Sequence, residues 1–188
     1  ALENSLRSGK NLDLDFIYGS EQLRNGTIFI PLDGQQRLTT LFLLHWYLVH
    51  KDERHEDFKR IISSDNRSHF SYKTRTSSKE FCDELVTKDV NIYGETISGE
   101  IKNSNWFYLS WERDPTIASM LVMLDDIQQV FKDSANYYSK LSDPDNPIIT
   151  FQYLNLEDFT LTDDLYIKMN SRGKLLTSFE NFKANLTG

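Results

Sequence analysis

The sequence predicts an α+β domain: a small mixed sheet carrying a large helical insertion. Three observations predict it. Short alternating or β-branched runs stand near both ends of the chain, at Leu14 to Tyr18, Thr27 to Leu32, Ile148 to Leu154 and Leu165 to Met169. Between them, apolar residues recur at helical spacing from Leu38 to Val49 and again from Ile117 to Phe131. With 188 residues, 13% of them aromatic, the chain has the length of one domain and enough apolar bulk for a substantial core.

The first twelve residues are polar, and Ser8-Gly9-Lys10 reads as a turn. Leu14, Phe16 and Tyr18 then alternate with other residues as a short strand that Gly19-Ser20 closes. Asn25-Gly26 marks a turn before Thr27 to Leu32, so these two strands are expected to pair as a hairpin. Pro31 is followed by Asp33-Gly34-Gln35-Gln36-Arg37-Leu38-Thr39-Thr40, and an apolar run begins. That order reads as strand, tight turn, helix N-terminus. The helix is apolar nearly all round, which predicts a buried central element.

Lys51 to Arg60 mixes both charges and reads as a solvated continuation of that helix. Asn66 to Lys79 holds Arg67, Lys73, Arg75 and Lys79 without an acid, interleaved with Phe70 and Tyr72. It is either a solvated loop with a short strand or a patch for single strands or nucleic-acid backbone. Ser77 or Ser78 starts a helix, and Ser77 with Glu80 fits a capping box. Phe81, Leu85 and Val86 form its buried side, and Cys82 reads as a small buried hydrophobe. Asp114-Pro115 caps a further helix whose core stripe is Ile117, Met120, Leu121, Leu124, Ile127, Val130 and Phe131. Ser142 to Pro147 breaks the helical region. After Leu165 to Met169 comes a second polar turn, Asn170-Ser171-Arg172-Gly173-Lys174. A helix is then expected from Thr177 or Ser178, with Phe179, Phe182 and Leu186 inward.

A net charge of −7 argues against a broad duplex-binding face, because duplex affinity is dominated by phosphate neutralisation; a local basic patch remains compatible with it. One cysteine excludes an intrachain disulfide framework and a cysteine zinc cluster. No apolar run approaches the ~20 residues of a membrane span, and no signal pattern opens the chain, so a cytoplasmic protein with no membrane partner is expected.

The chemistry concentrates in the two polar turns. A helix N-terminus favours anions through its unpaired N–H groups and its dipole. Arg37 offers a planar donor fork suited to phosphate oxygens. Gly34 permits a tight turn and close ligand approach. Gln35 and Gln36 can orient a water or read a base or ribose, and Thr39 and Thr40 add hydroxyls to the first turn. Asp33 suits a magnesium ligand or the acceptor of a water proton. Plainer readings stand beside these: Asp33 as a helix cap, Thr40 bonded back within its helix, Arg37 paired with Asp33 or Glu180. Arg172 and Lys174 would add positive charge, Asn170 and Ser171 hydrogen bonds, and Gly173 a left-handed backbone position. No G-x-x-x-x-G-K-[ST] sequence is present, so this is no ordinary P-loop.

With DGQQRLTTL and, far downstream, YIKMNSRGKLLTSFENFKANL, the chain resembles the large prokaryotic DGQQR-motif family, long called a domain of unknown function. That family includes the N-terminal half of GmrSD-type modification-dependent restriction enzymes and related phage-defence proteins. The resemblance runs from about Phe16 to Leu186, with residues from about 51 to 145 matched only as a helical insert. It implies a ParB/sulfiredoxin-like fold over residues 1–188 as a single domain. It also implies a domain that binds and hydrolyses nucleoside triphosphate with a divalent metal such as Mg2+ and thereby gates DNA cleavage. On that basis Asp33, Gln36 and Arg37 are the expected catalytic residues, with Asp33 also on the metal. Gly34, Gln35, Thr39, Thr40, Asn170, Ser171, Arg172, Gly173 and Lys174 are expected to bind the nucleotide.

Two departures qualify the resemblance. The proline-, arginine- and tryptophan-containing segment usual upstream of the first strand is missing. His45, His50, His55 and His69 show no HNH arrangement either. The chain is therefore expected to be a fragment of a longer protein, with DNA as substrate of the whole and an HNH-type nuclease domain elsewhere in it. The competing reading is a non-catalytic module that senses DNA or nucleotide, using the Asn66 to Lys79 patch for DNA.

Overall fold

Among the described residues, the densest stretch of buried side chains sets the fold. In the computed structural model, which describes residues 1–23 and 27–155, Phe42, Leu43, Leu44, Trp46, Tyr47, Leu48 and Val49 are all buried on one helix, α2 (Gln35–Lys51). A helix with core on most of its faces must be surrounded, and the elements that follow supply the cover. The architecture is α+β, as predicted.

The described chain forms two compact units. The first comprises Ala1–Leu14 and Gln36–Thr150 and is mainly helical. It opens with α1 (Leu2–Ser8), which ends on Gly9 in the left-handed conformation at φ 71°, a position that glycine takes at little cost. After α2 come α3 (His55–Ile62), α4 (Thr76–Thr87), α5 (Ile97–Lys102), a 3₁₀ turn at Leu109–Arg113, α6 (Pro115–Phe131) and α7 (Tyr137–Leu141). Leu6, Phe58, Phe81, Cys82, Leu85, Ile101, Trp111, Leu124 and Tyr138 join the α2 residues in one continuous core. Burial pushes the Cys82 thiol pKa well up, so the cysteine is the inert hydrophobe expected.

Hydrogen bonds made by Trp46 and Asp114 help to fix this unit. Trp46 Nε1 donates to the Leu85 carbonyl at 2.8 Å. That carbonyl lies in the last turn of α4, where no intrahelical partner remains. Asp114 caps α6 as predicted: Oδ1 accepts the N–H groups of Thr116 and Ile117 at 2.8 and 3.4 Å. Its Oδ2 accepts the Ser78 hydroxyl at 2.9 Å and the Ser77 hydroxyl as well. Burial works against the Asp114 charge, yet these four donors outweigh it and hold the carboxyl below its usual range.

Several local expectations are corrected. No capping box forms at α4: the helix starts at Thr76 after Arg75, and Ser77 is spent on Asp114. The helix does not continue through residues 51–60; Glu53 takes φ 53°, and α3 starts afresh at His55. Val130 is 55% exposed, whereas the rest of the predicted α6 stripe is buried. Asp65 and Asn66, at φ 50° and 58°, make the two-residue turn of a small hairpin, β3 (Ser63–Ser64) with β4 (Arg67–Ser68).

The second unit comprises Asp15–Gln35 with the strand residues Phe151–Asn155. Strands β1 (Leu12–Leu23), β2 (Thr27–Asp33) and β5 (Ile149–Asn155) form a sheet in the order β2-β1-β5. β1 and β2 pair antiparallel, so the expected hairpin is present, although residues 24–26 of its turn lie outside the described residues. β1 does not close at Gly19-Ser20 but runs on to Leu23. Gly19 lies opposite Pro31, and a Cβ there would collide with the Ile30 carbonyl, so the strands approach closely only because the residue is glycine. Pro31, which has no N–H to give, sits in an end strand of the described sheet. Phe29 and Tyr153 meet edge to face at 4.9 Å, and the Tyr153 hydroxyl donates to Glu21.

Acid should weaken the helical unit. Burial lowers the His45 pKa from 6.5 to about 4, and burial also lowers that of His50, with His55 adding to it against the opposing Trp46 carbonyl and Asp89. The folded state keeps the His45 ring neutral down to about pH 4, while the unfolded chain binds a proton there below pH 6.5. Stability is therefore complete above that pH and falls progressively as pH drops towards 4. For His45 the loss is about 2–3 kcal/mol. Urea unfolding at pH 7.5 and 4.5 should show it, and His45→Phe should remove most of that share. An unchanged pH dependence in the variant would contradict this assignment.

Candidate functional site

The strand, turn and helix expected around the DGQQR sequence are all present, and the chain passes from the second unit to the first between Gln35 and Gln36. In the second unit, β2 carries an irregularity directly before the turn. Tyr18 pairs with Asp33 but Gly19 pairs with Pro31, so Leu32 is an extra residue on β2. Such a bulge re-aims the residue that follows it. Here that residue is Asp33, exposed at the strand end.

Gly34 is buried at φ 85°, and a Cβ on it would lie 2.8 Å from Cγ1 of Ile17, itself fully buried. Both facts require glycine. Gln35 is exposed, and its Nε2 donates to the Pro31 carbonyl at 3.0 Å, tying the side chain to the strand that precedes the turn.

In the first unit, Gln36 and Arg37 occupy the first turn of α2, which contains no acidic residue. The positive end of the helix dipole is thus uncompensated from within its own first turn. Gln36 is exposed, and Arg37 is half-buried. Arg37 Nη1 donates to the Leu14 carbonyl at 2.5 Å, which fixes the guanidinium plane. Thr39 Oγ1 lies 3.1 Å from the Tyr72 hydroxyl. Thr40 follows the plainer reading: its hydroxyl donates to the Gln36 carbonyl at 2.9 Å and lies 3.2 Å from Met123 Sδ. The whole first turn stands on the most buried helix of the unit.

Asn170, Ser171, Arg172, Gly173 and Lys174 lie outside the described residues, as do the strand at Leu165 to Met169 and the helix after Thr177. Among the described residues no group of three or more His, Cys, Asp or Glu side chains stands close enough to hold a metal ion. No helix among them is long and apolar enough to cross a membrane.

Tyr72 and the Leu14 carbonyl are the site partners that sequence reasoning missed. In sequence Tyr72 reads with Phe70 as a base-stacking aromatic, but both rings are half-buried against the core. Phe70 stacks on Phe42 at 4.4 Å, and Tyr72 anchors Thr39. The Asn66 to Lys79 segment therefore offers cations to solvent, and its aromatics are engaged inside. Nothing in the spacing of the segment separates the two cases.

The described chain is thus α+β, with a strand, a bulge and a glycine turn leading into a buried helix that carries glutamine and arginine on its first turn. A family profile described as the GmrSD restriction endonuclease, N-terminal domain, matches residues 3–187, and the chain belongs to that family. No curated protein and no solved structure matches it.

Proposed function

We propose that this chain is the nucleoside-triphosphate-binding and hydrolysing regulatory domain of a modification-dependent DNA restriction or phage-defence protein. The observation that carries the reading is the first turn of α2. A half-buried arginine is immobilised there by a main-chain carbonyl, beside an exposed glutamine, at a helix start without an acid. A guanidinium anchored by a main-chain carbonyl keeps its direction, so a phosphate meeting it loses little to side-chain ordering. Membership of the GmrSD restriction endonuclease N-terminal domain family supports the restriction context.

In this reading Arg37 binds phosphate oxygens, and the α2 N–H groups add a second set of donors. Gln36 orients the attacking water, as a glutamine does in other phosphoryl-transfer sites. Asp33 takes the water's proton or contributes a carboxylate to Mg2+. Mg2+ is commonly held by one or two carboxylates together with substrate phosphates, so a single exposed carboxylate suits it. When bound, the metal would neutralise charge developing on the phosphates. Gly34, Gln35, Thr39 and the second turn, Asn170 to Lys174, complete the proposed nucleotide contacts. DNA and an HNH-type nuclease domain are the proposed partners in the whole protein, which is proposed to be cytoplasmic.

Phosphate release by the intact protein tests the reading. Asp33→Ala and Arg37→Ala should each lower turnover by about 100-fold or more, the size of loss seen when a positioned donor is removed from a transition-state contact. Equal turnover in wild type and both variants would overturn it.

A further inference from the structure

An open concavity of about 400 Å³ lies in the helical unit, remote in sequence from the DGQQR turn. It is lined by Arg75, Ser77, Ser110, Arg113, Asp114 and Pro115, where the chain enters α4 and α6. Arg75 and Arg113 are exposed. Among the described residues of the lining the one acid is Asp114, which is occupied by four donors: the N–H groups of Thr116 and Ile117 and the hydroxyls of Ser77 and Ser78. Arg75 donates to the Thr116 hydroxyl, which orients its guanidinium along the start of α6. The lining thus carries two guanidinium groups against one satisfied carboxylate, a local excess of positive charge in a chain of net charge −7.

The adjoining 3₁₀ turn adds a second feature. Tyr108 and Leu109, immediately before Ser110, are 59% and 79% exposed. Tyr108 meets buried Trp111 in a T-shaped contact at 4.8 Å, so the ring is braced while more than half of the residue stays exposed. Arginines that meet phosphate beside an exposed aromatic that meets a base form the recurring combination for a nucleic-acid strand. Phe70 and Tyr72 cannot play that part, because the core holds them.

We propose that this concavity is a DNA-backbone contact site, in which Arg75 and Arg113 take phosphates and Tyr108 stacks on a base. The choice of DNA as the polyanion rests on the restriction-enzyme reading; the position of the site does not. It places the DNA contact on the helical insertion, on residues other than those proposed to handle nucleotide.

The test is fluorescence anisotropy of the intact protein with labelled single- and double-stranded DNA, in EDTA, across a salt series. The double variant Arg75→Gln/Arg113→Gln should weaken binding by about tenfold or more and reduce the salt slope by about 2, roughly one for each phosphate left without its arginine. Arg75→Lys/Arg113→Lys should recover most of that slope, which separates a missing charge from a misfolded chain. Arg7→Gln/Arg60→Gln changes net charge equally at exposed ion-paired positions and should bind as wild type does. No DNA binding by the wild type, unaltered binding in the Arg75/Arg113 glutamine variant, or an equal loss in the Arg7/Arg60 control would overturn the proposal. Phosphate release measured on the same glutamine variant should be unaltered, so failure here remains distinct from failure of the nucleotide reading.

Discussion

Trp46→Ala is expected to destabilise the helical unit by about 4–6 kcal/mol, most of the stability of a typical domain. Two losses combine. The indole is fully buried among the core residues of α2 and α4, so its removal leaves a large cavity. The Leu85 carbonyl also loses its 2.8 Å donor in a place water does not reach, and an unsatisfied buried carbonyl costs about 1–3 kcal/mol. Chemical unfolding should separate the two effects. Trp46→Phe keeps most of the volume and should cost about half as much or less. If the alanine variant lost under about 2 kcal/mol, the claim that α2 organises this unit would be wrong.

Gly34→Ala should cost about 2–4 kcal/mol, from a left-handed backbone penalty plus overpacking. At φ 85° an L-residue is strained on its own account. The added methyl would also lie 2.8 Å from Cγ1 of Ile17, which is fully buried and has little room to give way. The effect should be local to the sheet unit and to the turn. Hydrogen exchange should therefore show β1 and β2 opening more readily, while the core amides of α4 and α6 keep their protection. Protection unchanged along β1 and β2 would show that the turn tolerates a side chain.

How much of this was legible depended on how local the cause was. The α2 helix was readable because its apolar residues are nearly continuous, and the cap of α6 because Asp114-Pro115 satisfies its N-terminus from within the sequence. The strand–turn–helix of the DGQQR stretch was readable for the same reason, since Pro31 and Gly34 act on their own backbone. What escaped was tertiary. Ser77 has the spacing of a capping box, yet a carboxylate 37 positions away claims its hydroxyl. Phe70 and Tyr72 look like a binding patch until Phe42 and Thr39 are brought against them by folding. The continuation of β1 past Gly19 was missed because glycine usually ends strands; here it admits the close approach of β2. The break at Glu53 had no warning, because a single non-glycine residue at positive φ leaves no mark in composition.

The central claim is that the first turn of α2 receives the phosphates of a nucleotide. Calorimetric titration of ATP and GTP, with Mg2+, into the intact protein tests it most directly, comparing wild type with Arg37→Ala and Arg37→Lys after confirming that all three melt alike. Binding by the wild type that weakens at least tenfold in Arg37→Ala, and partly recovers in Arg37→Lys, is the result predicted here. Equal affinity in wild type and Arg37→Ala, or no heat of binding with either nucleotide, would contradict it.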